Sequence, residues 1–168
     1  MSTISQVDTV DRVADTVSTF QERFDLSNPE PELTITDGDA DRLRKSFLLL
    51  IPTSEEASIA FYENLFTKMP ATRSMFSQDI RVQGEKFMMM LAVMLDAVDN
   101  PARLEAECKS LATSHSRYGV TTEMFTAVGE ALLETMEKSL GKDFDPTVKA
   151  SWEKLYGVAS HRMMAAGR

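Results

Sequence analysis

Cysteine occurs once in the 168 residues, at Cys108, so no disulfide can close within the chain. That suits a reducing compartment, and the cytoplasm is the expected location. The seven glycines lie scattered singly, which leaves no glycine-rich loop to cradle a phosphate. Positive charge is also short: 18 Lys and Arg stand against 26 Asp and Glu, for a net charge of −8. Nucleic-acid binders set positive charge against phosphates, so no nucleic-acid partner is expected. The longest apolar runs, Phe47 to Ile51 and Phe87 to Leu95, are too short to span a bilayer, and no membrane partner is expected. No basic start followed by an apolar core opens the chain, so export is not expected either. Period-two alternation is missing, and no internal repeat is visible.

What the chain has in quantity is helical patterning. Residues 5–24 set Val7, Val10, Ala14, Val17 and Phe24 on one stripe, which predicts an amphipathic helix. Ser27-Asn28-Pro29-Glu30-Pro31-Glu32 then reads as a linker, because two prolines and their polar neighbours cannot continue a helix. A boundary near residue 36 separates an N-terminal helical extension, 1–36, from a second domain, 37–168. There, Asp37 or Asp39 is the expected cap of a helix reaching about Ile51, where Pro52 stops it. Thr53 with Glu56 resembles a capping box and opens a helix to about Lys68. Pro70 starts a short turn ending near Phe76, and Ser77-Gln78-Asp79 leads into a long helix to about Val98. Asn100-Pro101 opens the next, ending near His115 with Gly119 just beyond. Thr121 or Thr122 caps a helix closed by Gly141, and Asp145-Pro146 opens the last. The fold class is all-α.

Two histidines are present. His161 falls opposite the stripe of Trp152, Leu155, Tyr156, Ala159 and Met163, so it is expected in solvent. His115 ends a helix whose Cys108, Leu111 and Ala112 share its face, leaving one nitrogen ligand at the end of an apolar stripe. Taken alone, most histidines so placed are satisfied structural residues. Tyr62 and Phe76, taken alone, read equally well as core aromatics. Gln83 is more telling, because it interrupts the apolar side formed by Ile80, Phe87, Met90, Leu91 and Met94 and therefore demands a polar partner.

Longer stretches give these residues a context. Phe61-Tyr62-Glu63-Asn64-Leu65-Phe66, Met75-Phe76 and the segment from Leu111 to Val120 around His115 occur in order. Val128-Gly129-Glu130-Ala131-Leu132-Leu133 and Trp152-Glu153-Lys154-Leu155-Tyr156-Gly157-Val158 follow. In order and spacing, the chain from about Asp39 to Met163 resembles the globin domain of bacterial haemoglobins and flavohaemoglobins. The resemblance implies a globin fold around haem b, with His115 as the proximal iron ligand and sole metal ligand. It implies that Phe76 lies on the porphyrin, and that Tyr62 and Gln83 are the distal tyrosine and glutamine. Phe87 takes the next inward position, usually aliphatic in these proteins, and Leu111 belongs to the proximal face. Lys86 and Arg117 are within reach of the haem propionates, although a solvated surface cation is the commoner state for each. The thioethers of Met88, Met89, Met90 and Met94 are expected to fill gaps in the core, with one or two at most facing the haem.

An iron with one imidazole and an open sixth position suits reversible gas binding. Bound O2 carries partial negative charge on its outer atom, so donors such as the Tyr62 hydroxyl and Gln83 amide stabilise it more than CO. Two departures from flavohaemoglobins bear on function. No flavin or nicotinamide domain is expected after the globin, and the partners that orient their proximal histidine are replaced, a tyrosine by Phe125 and a glutamate by Gly167. Without an acidic partner the imidazole donates less electron density to iron, which favours binding over activation. The expectation is an O2 carrier or store that also takes NO and CO. The alternatives are an NO dioxygenase served by an external reductase and a haem-based gas sensor. The N-terminal stripe supplies a surface that could pair two copies as a homodimer.

Overall fold

Asn100 and Asp145 show how local chemistry starts helices in this chain. Each precedes a proline, whose fixed φ suits the first helical position and whose missing N–H is not needed there. The Asn100 side chain accepts from the Arg103 amide at 3.1 Å, and Asp145 accepts from the Thr147 and Val148 amides at 2.9 Å each. The computed structural model describes residues 34–167. Among them are six α-helices: α1 Asp37–Leu50, α2 Ser54–Lys68, α3 Ile80–Ala97, α4 Pro101–Arg117, α5 Thr122–Leu140 and α6 Pro146–Ala166. Short 3-10 turns occupy Ile51–Thr53, Pro70–Met75 and Gly141–Asp143, and no strand occurs among the described residues. The expected all-α architecture is what forms. The stripe of residues 5–24 and the proline linker lie outside the described residues.

Two helix starts differ from expectation. The cap of α1 is Thr36 rather than Asp37 or Asp39, and Asp39 instead completes a capping box from the third helical position. The reason is that Asp39 is turned inward, only 2% exposed, to meet partners from α6. Its carboxylate accepts from the Ser151 hydroxyl and the Lys154 ammonium, both at 2.8 Å, and from the Thr36 amide at 3.0 Å. Burial pushes the Asp39 carboxyl up, but Lys154, Thr36 and Ser151 outweigh it and hold the group well below the usual carboxylate range. Thr53 stands at the start of α2 yet makes no capping bond. Thr53 ends a 3-10 turn that runs straight into the helix, and its hydroxyl donates backwards to the Leu50 carbonyl at 3.4 Å.

Interhelical polar links surround the core. Trp152 on α6 is 1% exposed and donates its indole N–H to Ser46 on α1 at 2.9 Å. Asn64 and Lys68 on α2 donate to Glu134 on α5 at 2.9 and 2.7 Å. Helices α2 and α3 approach closely at Gly84 and Ser58. A Cβ on Gly84 would lie 2.3 Å from the Ser58 hydroxyl oxygen, so only glycine permits this approach. Ser58 lies one turn before Tyr62, and Gly84 adjoins Gln83, so the approach brings those two side chains together. After α4, Gly119 adopts φ +66° and the chain turns back towards α5. Among the described residues, no helix is long and apolar enough to cross a membrane.

Candidate functional site

Five helices, α2 to α6, together with the corner at Phe76, enclose a cavity of about 260 Å³. All seven residues singled out from the sequence line it: Tyr62, Phe76, Gln83, Lys86, Phe87, Leu111 and His115. Of the four neighbouring methionines, Met90 and Met94 line it, whereas Met89 is 68% exposed. His161 is half-buried rather than fully solvated and is not part of the lining; Arg117 is exposed and is not part of it either.

The lining is mainly apolar, and the hydrogen bonds of its polar groups divide them into two sets. Trp152 and Tyr156 are satisfied by protein: the indole donates to Ser46, and the Tyr156 hydroxyl donates to the Phe125 carbonyl. The other set keeps capacity to spare. His115 places Nδ1 2.7 Å from the carbonyl oxygen of Leu111, one turn back on α4. A carbonyl only accepts, so Nδ1 carries the proton and Nε2 of the neutral ring keeps its lone pair. The Phe125 ring, on the first turn of α5, lies 6.0 Å from the imidazole at an interplanar angle of 21°. Tyr156 therefore fixes, through the Phe125 carbonyl, the residue that stacks on His115.

Tyr62 is 3% exposed, and rings meet it edge-on from three sides: Phe61 at 4.9 Å, Phe76 at 5.1 Å and Phe87 at 6.0 Å. Gln83 donates its side-chain N–H to the Tyr62 oxygen at 3.2 Å. The two groups thus act in series rather than as separate donors, and among the described residues nothing accepts the Tyr62 proton. Burial raises the Tyr62 pKa, with the Gln83 N–H pulling slightly the other way, so the phenol keeps that proton. Lys86 is exposed at the cavity edge, where its ammonium donates to the Gln78 side chain at 2.6 Å. Among the described residues, no cluster of three or more His, Cys, Asp or Glu side chains is placed to hold a bare metal ion.

Three features of the site escaped sequence reasoning. The Leu111 carbonyl was legible in principle, since it lies four residues before His115 on the same helix. The link from Tyr156 to Phe125 and the stacking of Phe125 on His115 join separate helices and leave no local signal.

Comparison with known proteins matches the geometry. The globin family profile fits residues 59–163. The chain is 25% identical over 127 residues to the globin-2 A chain of Anadara inaequivalvis, covering 69% of this chain and 85% of that protein. It is 30% identical over 100 residues to a flavohemoprotein of Rhizobium meliloti (strain 1021), covering 58% of this chain. That match takes in 25% of the flavohemoprotein, so this chain spans about a quarter of that relative's length. With a family match across most of its length, and five of the six described helices lining an apolar cavity, the chain belongs to the globin family.

Proposed function

We propose that this globin holds haem b through Nε2 of His115 and reversibly binds O2, with NO and CO as further ligands, as a carrier or store. Haem is the cofactor of the family, and the residues present fit it: an apolar cavity, one unused imidazole lone pair and spare hydrogen-bond donors on the same lining. The single observation that supports the reading is the hydrogen bond from His115 Nδ1 to the Leu111 carbonyl, because it leaves the Nε2 lone pair free for ligation. Haem supplies an iron with one open position for a diatomic ligand. The Tyr62 hydroxyl, polarised by Gln83, donates to the partly negative outer atom of the gas. Phe76 and the surrounding apolar side chains exclude water, and Lys86 is within reach of the acidic edge of the cofactor. We assign residues 1–36 as an extension to a globin domain spanning 37–168, and we assign the cytoplasm, where Cys108 remains a thiol.

A second reading is an NO dioxygenase supplied with electrons by a separate reductase, and the likeness to a flavohemoprotein favours it. The neutral carbonyl behind His115 argues for binding instead, since it gives the imidazole no acidic partner to increase its donation to iron. Absorption spectra of the reduced protein with and without O2 and CO test the proposal directly. The protein should show a Soret band that shifts with each gas, and His115→Ala should lose most of its haem. An alanine variant with full haem and an unchanged spectrum would overturn the assignment.

A further inference from the structure

Phe66, half-buried near the end of α2, is touched twice by the corner that follows the helix. Its ring meets that of Phe76 with centroids 5.8 Å apart and planes at 53°. The Arg73 guanidinium lies over the same Phe66 ring, 4.9 Å from its centroid. Both partners belong to the corner: Arg73 sits in the 3-10 turn Pro70–Met75, and its carbonyl accepts from the Phe76 N–H at 3.3 Å. Arg73 is exposed, and among the described residues its guanidinium has no ion pair and no hydrogen bond. A long side chain so placed gives up rotamer freedom, and the ring face is what offsets that cost. Backbone bonds tie the start of the corner to α2, from the Met69 N–H to the Leu65 carbonyl at 2.8 Å and from the Thr72 N–H to the Met69 carbonyl at 3.0 Å. Its end, at Phe76, meets α2 through the side chains of Phe66 and Tyr62.

We propose that Arg73 is a positioning residue, which latches the corner to α2 through the Phe66 ring and thereby sets how fast the cofactor leaves. The proposal rests on the haem reading given above, under which Phe76 covers the cofactor. Escape past Phe76 requires the corner to swing away from α2. Phe66 stays with the helix, so Arg73 must leave its ring whenever the corner opens. A guanidinium over a half-buried ring is worth enough to slow that opening by about two- to fivefold. A diatomic gas needs no such opening, so its affinity does not depend on the latch.

Haem transfer tests this. Ferric holo-protein is mixed with an excess of apomyoglobin, and the transfer is followed at the Soret band. Arg73→Met, which keeps the stem but drops the charge, should lose haem about two- to fivefold faster than the native protein. Arg73→Lys keeps a cation for the ring face and should stay closer to the native rate. Phe66→Leu removes the ring, and adding Arg73→Met to it should bring no further acceleration, because the two side chains act as one contact. Reduced Arg73→Met should bind CO as tightly as the native protein does. Equal acceleration by Arg73→Met with and without the Phe66 ring, or none in either, overturns the latch and leaves the haem reading intact. So does a weakened CO affinity in Arg73→Met, the mark of a site loosened as a whole. A native protein that takes up no haem overturns both.

Discussion

Replacing Tyr62 by phenylalanine removes one oxygen and with it two hydrogen bonds of different kinds. The first is accepted from the Gln83 amide at 3.2 Å. Under the proposed function the second is donated to the gas, and for a partly charged acceptor it contributes about 1.5–3 kcal/mol. Each 1.4 kcal/mol is roughly tenfold in an equilibrium constant, so the full loss spans about ten- to a hundredfold in O2 affinity. The series arrangement narrows that range. Once the phenol oxygen is gone, the Gln83 amide is released and can turn to the gas itself, so Tyr62→Phe alone should fall near the lower limit, about tenfold. Gln83→Leu removes only the polarisation of the phenol, on the order of 10–30% of one bond, and should cost less than about fivefold. The double variant removes the substitute donor as well and should approach about a hundredfold. Most of the change should appear as faster release, since the bond forms after the ligand has entered. Stopped-flow release of O2 and CO from the reduced proteins reads this directly, and CO, less polarised when bound, should respond little. If Gln83→Leu speeds O2 release as much as Tyr62→Phe does, the two groups act in parallel and the series argument fails.

Three other perturbations probe the frame around the site. Gly84→Ala places a Cβ 2.3 Å from the Ser58 oxygen and should destabilise the fold by roughly 1–3 kcal/mol, with partial rescue by Ser58→Gly in the double variant. Thermal unfolding measures it, and an unchanged midpoint would mean that α2 and α3 do not need the approach. Asp39→Ala should cost about 2–4 kcal/mol at neutral pH, because it removes the capping box and leaves Lys154 short of its partner. Since the folded carboxyl sits below its unfolded value, this stabilisation is complete above about pH 4 and fades as the pH falls further, where the unfolded chain binds the proton first. Urea titrations at pH 7 and pH 3 should therefore separate native protein and variant widely at the first and less at the second; a constant gap contradicts the assigned ionisation. Cys108 is fully buried and its thiol is pushed up to about 11, so a disulfide reagent should label it only after unfolding. Rapid labelling of the folded protein at neutral pH would show that α4 opens.

Local chemistry was what the sequence made legible. Asn100-Pro101 and Asp145-Pro146 announce α4 and α6 because a cap and a proline act within one turn. Gly119 and Gly141 mark the ends of α4 and α5 for the same reason, and both adopt positive φ. Where distant partners decide, the same reasoning missed. Asp39 looked like a surface cap and became a buried acceptor, because Ser151 and Lys154 reach it from the far end of the sequence. Thr53 carried a capping-box pattern but was overruled by the turn that runs into it. At the site, patterning put Gln83 on an apolar face and so demanded a partner, but could not say that the partner is the Tyr62 oxygen. The roles given to Tyr62, Phe76 and His115 came from the family resemblance; their shared cavity came from the fold.

The cavity is enclosed by five helices, and α1 alone contributes no residue to it. Those five helices each turn part of an apolar face towards a space rather than towards one another. Under the proposed function, the molecule that fills the space is a structural member of the core, contacted by more helices than any single side chain is. Its binding energy then enters the folding equilibrium directly, growing with the logarithm of free cofactor concentration over its dissociation constant. The amount of folded protein in a cell would therefore report how much haem is on hand, and a haem-starved cell would lose this globin by unfolding and proteolysis without any dedicated signal.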